Sequence, residues 1–360
     1  MRLPQVASGP HFHSMFNVPR TMVAVMVCLA PATGFGLYQF GWPAMLLFAV
    51  TLAAALVFEV LSLVIAGRPV LPFATDGSAL LTGWLVAMTL PPWAPWWVGV
   101  LGAFIAIVIG KQVFGGLGQN LFNPAMVARA MLLIALPVPM TQWVAPMGLK
   151  DGPGLADALR ITFGHAPGYD TMSSASVLGQ VQSQLDAGRP MPEILGGMAS
   201  LHDQFFGLMA GSLGETSALL LLIGGLCLVL LRIIQFVTPL AVLGTIFALS
   251  GAAWLIDPDH FVPPLFHLTS GATMLCAFFI ATDYVTAPVT TAGRAIYGAG
   301  IGALIWVIRV WGSFPEGVAF AVLLMNAVTP LIDTYVRPRI FGRTRSGKPL
   351  PLAASAGEKP

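Results

Sequence analysis

The sequence predicts an all-α polytopic membrane protein of about ten transmembrane helices, arranged as two inverted five-helix repeats. Composition is the first observation, because 56% of the 360 residues are hydrophobic and only 9% are charged, against about 25% charged in a soluble domain. The second is that long apolar runs recur along the chain, and the third is that one polar stretch divides them evenly. A soluble chain this apolar cannot cover its surface, so lipid must be the solvent for much of it.

Ten apolar runs approach the length of about 20 residues that a spanning helix needs. In chain order they are 21–40, 43–67, 77–91, 96–110, 122–140, 215–231, 236–256, 267–282, 295–311 and 317–333. The stretch between the fifth and sixth runs is rich in Gly, Pro, Ser, Asp and Gln and cannot span. The predicted organisation is an N-terminal segment (1–20), a first repeat (21–140), a loop (141–203), a second repeat (204–336) and a basic tail (337–360).

The positive charges predict the orientation. With the N-terminus inside, twelve of the seventeen Lys and Arg residues fall in inside segments, three fall outside, and Arg129 and Arg309 fall within helices. Because Lys and Arg concentrate in cytoplasmic segments, both termini are expected in the cytoplasm and the 141–203 loop in the periplasm. An odd number of helices in each half then makes the two halves enter the membrane in opposite senses, as in many transport proteins.

Weak similarities between the sequences of the two halves support an internal repeat. The third helix of each half is short, from Ser78 to Pro91 and from Leu268 to Thr282. About 15 residues reach only about 22 Å, less than the roughly 30 Å hydrocarbon core. Each half also ends in a helix that contains Asn and an X-Pro step, at Asn123 and at Asn326. Short or broken helices at matching positions predict a buried site between the repeats.

Glu59 lies in the middle of the second apolar run, between AALVF and VLSLVIA. A carboxylate within the membrane is costly and therefore indicates a function by default. Glu59 is a candidate for proton or sodium passage or for pairing with Arg129 or Arg309. A purely structural hydrogen-bonded carboxyl is an equally good interpretation.

A glycine-rich turn, KQVFGGLGQNLFNP, begins at Lys111 and leads into the fifth helix. Glycines such as Gly115 and Gly116 let the backbone approach a ligand, and a helix N-terminus offers free N–H groups. The amides of Asn120 and Asn123 suit the edge of a flavin or quinone ring. A tight connection without a ligand is the simpler alternative.

Two hydroxyl motifs stand out. The loop contains the sequence DTMSSAS from Asp170 to Ser176, in which a hydroxyl flanked by small residues leaves room for a bulky attached group. The eighth run contains SGAT, which ends at Thr273 and by itself is typical of a small-residue packing face.

Four blocks of sequence are similar to one known family. SALLTGWLVAMTLPPWAPWW, GKQVFGGLGQNLFNPAM, SGATMLCAFFIATD and FPEGVAFAVLLMNAVTPLIDTYVRPRIFG resemble the D subunits of Rnf electron-transport complexes, which are related to the B subunits of sodium-pumping NADH:quinone reductases. The resemblance runs from about residue 5 to residue 343 and is poor only in the loop. It implies a subunit of the bacterial inner membrane that works with RnfA, RnfB, RnfC, RnfE and RnfG, passing electrons between ferredoxin and NAD with coupled sodium or proton movement.

The resemblance also implies a covalent FMN, whose phosphate is esterified to a hydroxyl in a motif such as D-x-x-(S/T)-(G/S)-A-(T/S). Asp170, Ser173, Ala175 and Ser176 match this pattern, and Ser176 is the expected acceptor. The family usually has Thr at that position, which puts recognition by the flavin transferase in question. Thr273 is the competing acceptor, ranked lower because its segment is apolar and His267 stands where the motif has Asp.

Other assignments follow from the same residues. A second flavin, with riboflavin as the candidate, is expected at the turn between Lys111 and Asn123. The net charge of +2 argues against nucleic-acid binding, and three single cysteines without CxxC spacing argue against a metal site in this chain. The alternative function, from a different class, is a small-solute channel or carrier without a redox role, since inverted five-helix repeats are common there.

Overall fold

The protein is a bundle of membrane-length helices with a small helical layer at one end. The computed structural model describes residues 17–164, 173–174, 177–189, 191–197, 200–312, 314, 316–338 and 342. By length and composition, five helical stretches in this part can cross a membrane, and three shorter apolar helices accompany them. The prediction of an all-α polytopic membrane protein is confirmed.

The first half of the bundle begins with one long helix that is broken in the middle. At 48 residues, α1 would extend about 70 Å if straight, more than twice the hydrocarbon core. Gly41, with φ 71° and ψ −157°, breaks it where the sequence predicts the boundary between the first two spans. The helices of this half are α1 (Val18–Ile65), α2 (Val70–Ala74), α3 (Ser78–Thr89), α4 (Trp96–Phe104, continued as a π-helix over Ile105–Gln112) and α5 (Pro124–Ala135).

Short elements between the halves form the layer at one end, which we call the loop end. They are α6 (Pro137–Thr141), β1 (Trp143–Val144), α7 (Gly148–Asp151), α8 (Leu155–Phe163), β2 (Ser173–Ser174), α9 (Val177–Asp186), α10 (Met191–Gly196), α11 (Leu201–Phe206) and a 3₁₀ turn (Leu213–Glu215). The two strands pair antiparallel. Leu178, Val181, Met191 and Ile194 pack with Phe266 in a small core of their own, which fastens this layer to the second half.

The second half repeats the alternation of long and short helices. Its elements are α12 (Ala218–Leu230), α13 (Val237–Ile256), α14 (Pro264–Thr269), α15 (Thr273–Leu275, continued as a π-helix over Cys276–Ile280), α16 (Thr291–Trp311) and α17 (Val318–Tyr335). The eighth span differs from the prediction, because the chain leaves the helix at Ser270 and Gly271 and starts again at Thr273. Ser270 is extended and Gly271 has φ 63°, a conformation that glycine adopts without steric cost.

One continuous hydrophobic core joins the two halves, and it includes residues from α1, α3, α5, α12, the π-helical part of α15 and α17. We call the opposite end the basic end, because Arg68, Arg232, Arg294 and Arg337 lie in or next to its connections. The inverted relation of the halves and the residue limits of the five predicted segments stay predictions.

Candidate functional site

A buried ion pair lies near the basic end of the first half. The Lys111 ammonium donates to Glu59 Oε1 at 2.7 Å and to Ser78 Oγ at 2.8 Å. Ser78 Oγ in turn donates to Asp76 Oδ1 at 2.5 Å. Glu59 and Lys111 are 1% and 2% exposed, so solvent screens the pair only weakly. We call Glu59, Asp76, Ser78 and Lys111 the basic-end cluster.

A cavity adjoins this cluster, between the two halves. Its volume is about 100 Å³, and it is partly open to the surface. Ligand sites usually measure about 300–1,000 Å³, so a ring-sized ligand would need its walls to move apart. Its lining includes polar side chains of the first half, Lys111, Ser78, Asn120 and Asn123, and aromatic side chains of the second half, Phe278 and Phe279. The cavity therefore offers both hydrogen-bonding groups and aromatic surface.

Asn123 and Asn326, the asparagines predicted in the last helix of each half, are hydrogen-bonded to each other inside the bundle. Asn123 caps α5, and its side-chain oxygen accepts from the backbone N–H groups of Ala125 and Met126. The backbone N–H of Asn123 donates at 2.9 Å to the amide oxygen of Asn326, in the orientation that satisfies both ends of that amide. The NH₂ end then donates to the Tyr297 hydroxyl at 2.6 Å. The final helices of the two halves are therefore joined directly beside the cavity.

The glycine-rich turn closes the basic end of this region. Gly115 and Gly116 have φ of 116° and 95°, so the turn depends on residues without a Cβ. Arg68 donates to the Gly115 carbonyl at 2.5 Å, which fixes the turn to the end of the second span. Asn120 is buried, donates to the Phe122 carbonyl at 3.0 Å and lines the cavity.

A second buried group of charges lies near the loop end, which we call the loop-end cluster: Arg129, Glu215, Arg309 and Glu316. Arg129 Nη2 is 3.7 Å from Glu316 Oε2, and Glu316 Oε1 accepts from the Ala272 backbone N–H at 2.6 Å. Glu215 accepts from Ser212 Oγ at 2.6 Å. The contact between Arg129 and Glu316 therefore ties the last helix of the first half to the turn that precedes α17.

Arg309 belongs to this cluster and supports the break in the eighth span. Its guanidinium donates to the carbonyls of His267 at 2.8 Å and Ser270 at 3.1 Å. These carbonyls lie at the end of α14 and so have no helical partner within it. The hydroxyl of Thr273 is within hydrogen-bonding distance of the same two carbonyls, and Thr273 is fully buried.

The polar loop contacts the loop-end cluster through β1. Ser174 and Ser173 pair with Trp143 and Val144, and the Arg129 guanidinium lies 5.7 Å from the centre of the Trp143 ring. A few residues on, Gln182 donates to the Gly312 carbonyl at 2.8 Å. The predicted motif residues Asp170, Ala175 and Ser176 lie outside the described residues, and Ser173 is described by its backbone alone.

The structure corrects one expectation and adds two residues. Glu59 does not pair with Arg129 or Arg309; it pairs with Lys111, because the π-helical end of α4 carries Lys111 to the second span. Glu215 and Glu316 were not predicted as site residues. Each lies in a short segment immediately before an apolar helix, in GSLGETS and FPEG. A glutamate in that position was the feature of the sequence that could have predicted them.

Charged clusters are buried near both ends of the bundle, and a cavity lies between its halves. These features are typical of a polytopic membrane protein with polar sites in its interior. The model of the NQR2, RnfD, RnfE family matches residues 5–342, and the chain belongs to this family.

Three curated relatives are similar over most of their length, and each is named as the D subunit of an ion-translocating oxidoreductase complex. The protein from Rhodobacter capsulatus is 60% identical over 86% of each chain. The protein from Stutzerimonas stutzeri is 53% identical over 94% of this chain and 96% of its own. The protein from Halorhodospira halophila is 46% identical over 97% of this chain and 98% of its own.

Proposed function

We propose that this protein is the membrane-embedded, flavin-carrying subunit of an Rnf-type complex, which transfers electrons across the membrane and couples this to sodium or proton movement. The family membership supports the complex and its ion-translocating redox role. RnfA, RnfB, RnfC, RnfE and RnfG are the proposed partners, and ferredoxin and NAD would react at other subunits. The observation that carries the flavin role is the cavity beside Lys111.

The chemistry of the cavity lining, rather than its volume, suits the tricyclic ring of a flavin such as riboflavin. Lys111 uses two of its three N–H donors on Glu59 and Ser78 and borders the cavity. Asn120 contributes an oxygen, and Asn123 contributes the NH₂ end of its amide. Phe278 and Phe279 supply an apolar surface for the ring face. A flavin bound here would supply the redox chemistry, while these side chains bind and orient it.

Ser176 is the proposed acceptor of a covalent FMN. Support comes from the residues on both sides of the motif. Ser173 and Ser174 pair with β1, and Leu178 is buried in the small core that it forms with Val181 and Phe266. Thr273 is disfavoured as an acceptor because its hydroxyl is fully buried and engaged with two carbonyls.

The proposed orientation places the basic end and both termini in the cytoplasm of a bacterial inner membrane, with the loop end in the periplasm. The basic connections support this orientation, because Lys and Arg are enriched in the cytoplasmic loops of membrane proteins. A flavin near each end would then let electrons cross the bilayer. Each charge moved across 100 mV is worth about 2.3 kcal/mol, so such a transfer can drive or oppose ion flow.

Glu59 is the proposed contact with the moving ion. Its Oε2 is buried without a hydrogen-bond partner among the described residues, while Oε1 is held by Lys111. A free carboxylate oxygen inside the membrane is suited to a proton or a sodium ion.

Flavin counting tests the proposal. The complex is purified, acid-extracted to count noncovalent flavin, and run on a denaturing gel viewed for fluorescence. We expect one extractable flavin per chain and one fluorescent band. Ser176→Ala should remove the fluorescence, and Thr273→Ala, the matched control, should keep it. A dark wild-type band of unmodified mass would exclude the covalent flavin, and the absence of extractable flavin would exclude the cavity site.

A further inference from the structure

Helix α8 (Leu155–Phe163) carries a row of apolar side chains that the described part of the chain leaves about half-exposed. Leu155, Leu159 and Phe163 follow one another at intervals of four residues, which places them on one face of the helix. They are 50%, 44% and 48% exposed. We call these three residues the α8 stripe. An exposed apolar surface bordered by polar residues is typical of a contact with a membrane or with another protein.

The rest of α8 is not apolar and exposed in this way. Ala158 and Thr162 are buried, and α8 packs against α1. Asp157 and Arg160 form an ion pair at 3.6 Å, and the Arg160 side chain is 77% exposed. The helix therefore has buried positions, charged exposed positions and a separate apolar stripe, a division typical of helices that lie along a membrane surface.

Exposed aromatic residues mark the level of the bilayer surface at the loop end. Tyr38 and Trp42 lie next to the break at Gly41, and Trp96 and Trp97 begin α4. Each of the four aromatic side chains is more than a third exposed. Tyr and Trp are enriched where the membrane meets water, because their rings are apolar and their tips are polar. We call Tyr38, Trp42, Trp96 and Trp97 the aromatic belt.

The α8 stripe is continuous with the aromatic belt. The centre of the Phe163 ring lies 6.2 Å from the centre of the Trp96 ring. The segment before α8 is held at the same level, because the Met147 N–H donates to the Gln39 carbonyl at 3.2 Å. The stripe therefore extends the lipid-facing surface of the first half and is not an isolated patch.

The geometry points to an interfacial helix: α8 lies on the loop-end surface of the bilayer, and phospholipid covers its apolar stripe. Leu155, Leu159 and Phe163 enter the boundary between headgroups and acyl chains, to a depth of about 5–10 Å. The exposed guanidinium of Arg160 stays in the aqueous layer. Because β2 follows α8 in the chain, this attachment also limits how far the polar loop can move from the membrane.

Spin labelling of the purified complex in nanodiscs of phosphatidylethanolamine and phosphatidylglycerol tests this inference. Cys28 and Cys227 are replaced by alanine, and Cys276 is fully buried and will not react. A single cysteine is then introduced as Leu159→Cys or, one position further on, as the control Arg160→Cys. Power saturation compares collisions of the label with oxygen, which concentrates in lipid, and with a water-soluble nickel chelate. We expect the oxygen-to-nickel ratio to be several-fold higher at position 159 than at position 160.

Further labels along α8 test the face of the helix and cover the case in which Leu159→Cys fails to assemble. Leu155→Cys and Phe163→Cys should give the same high ratio as Leu159→Cys. Asp157→Cys should give a low ratio, as Arg160→Cys does. High ratios at intervals of four residues would follow only from a helix seated with its stripe in lipid.

Three results would overturn the inference. Equal access of nickel to positions 159 and 160 would place the stripe in water. Protection of position 159 from both oxygen and nickel would show that another subunit covers the stripe. High ratios without the four-residue spacing would show that α8 does not lie on the bilayer as a helix. None of these readings depends on flavin content, so the inference stands or falls separately from the proposed function.

Discussion

Replacing Lys111 by methionine isolates the energetics of the basic-end cluster. Methionine keeps most of the side-chain volume and removes the charge. Glu59 then loses its cation, and one of its oxygens already has no partner among the described residues. Ser78 loses a donor at the same time. The variant therefore leaves a buried carboxylate without compensation.

The magnitude follows from the separation of the two charges. At 2.7 Å and an effective dielectric constant of about 20, the attraction is about 6 kcal/mol. Desolvation of each ion costs several kcal/mol and offsets much of this. Removal of one partner is nevertheless expensive, because the other stays buried and unpaired, and such changes cost about 3–5 kcal/mol. We expect Lys111→Met to lose stability in that range.

A double-mutant cycle separates the pair from its surroundings. Glu59→Gln alone should also destabilise, because it leaves the Lys111 ammonium buried. The double variant should be less destabilised than the sum of the single variants by about 2–3 kcal/mol. The assay is denaturant unfolding of the purified protein in mixed micelles, followed by tryptophan fluorescence.

The cycle can contradict this reasoning in a clear way. If the two single effects add within about 0.5 kcal/mol, the pair is not coupled, and Lys111 would act only by filling space. A Lys111→Met variant with wild-type stability would show that Glu59 finds another partner or is neutral without cost.

Two further predictions concern packing and the loop end. A Cβ at Gly225 would overlap the ring of Phe278, so Gly225→Ala should lower the melting temperature, with a loss of stability of about 1–3 kcal/mol. Gly244→Ala is the control and should leave the melting temperature unchanged, because a Cβ there meets nothing within 4 Å. The pKa of Asp203 is lowered by its hydrogen bonds with Ser200, so the stability that this cap contributes to α11 is present above the ordinary aspartate pKa and is lost as pH falls through the lowered value. Amide exchange in α11 should accelerate there, and Ser200→Ala should abolish that pH step.

Much of the architecture was predictable because lipid imposes a simple constraint. Apolar length alone located the spans, and the break at Gly41 falls between two of the predicted runs. Asn123 was predicted as a site residue from its place at a helix start, and the structure puts it beside the cavity. Prediction failed at the eighth span, where apolar composition hid the interruption at Gly271.

The partners of the buried charges were the part that the sequence alone left undetermined. The energetic cost of burying Glu59 was recognisable from the sequence. Its partner was not, because Lys111 lies 52 positions further along the chain and no local pattern links the two residues. Glu316 lies 44 residues from Ala272 in the chain, and its hydrogen bond to the Ala272 N–H exists only because the turn before α17 reaches the break in the eighth span.

The sequence by itself determined that the chain resides in a membrane, roughly where it crosses, and which family it resembles, because these depend on local apolar length and on contiguous motifs. Only the tertiary structure decided which cation neutralises which carboxylate. Such pairings depend on how helices from distant parts of the chain pack, and in a buried site a displacement of a few ångströms changes the partner.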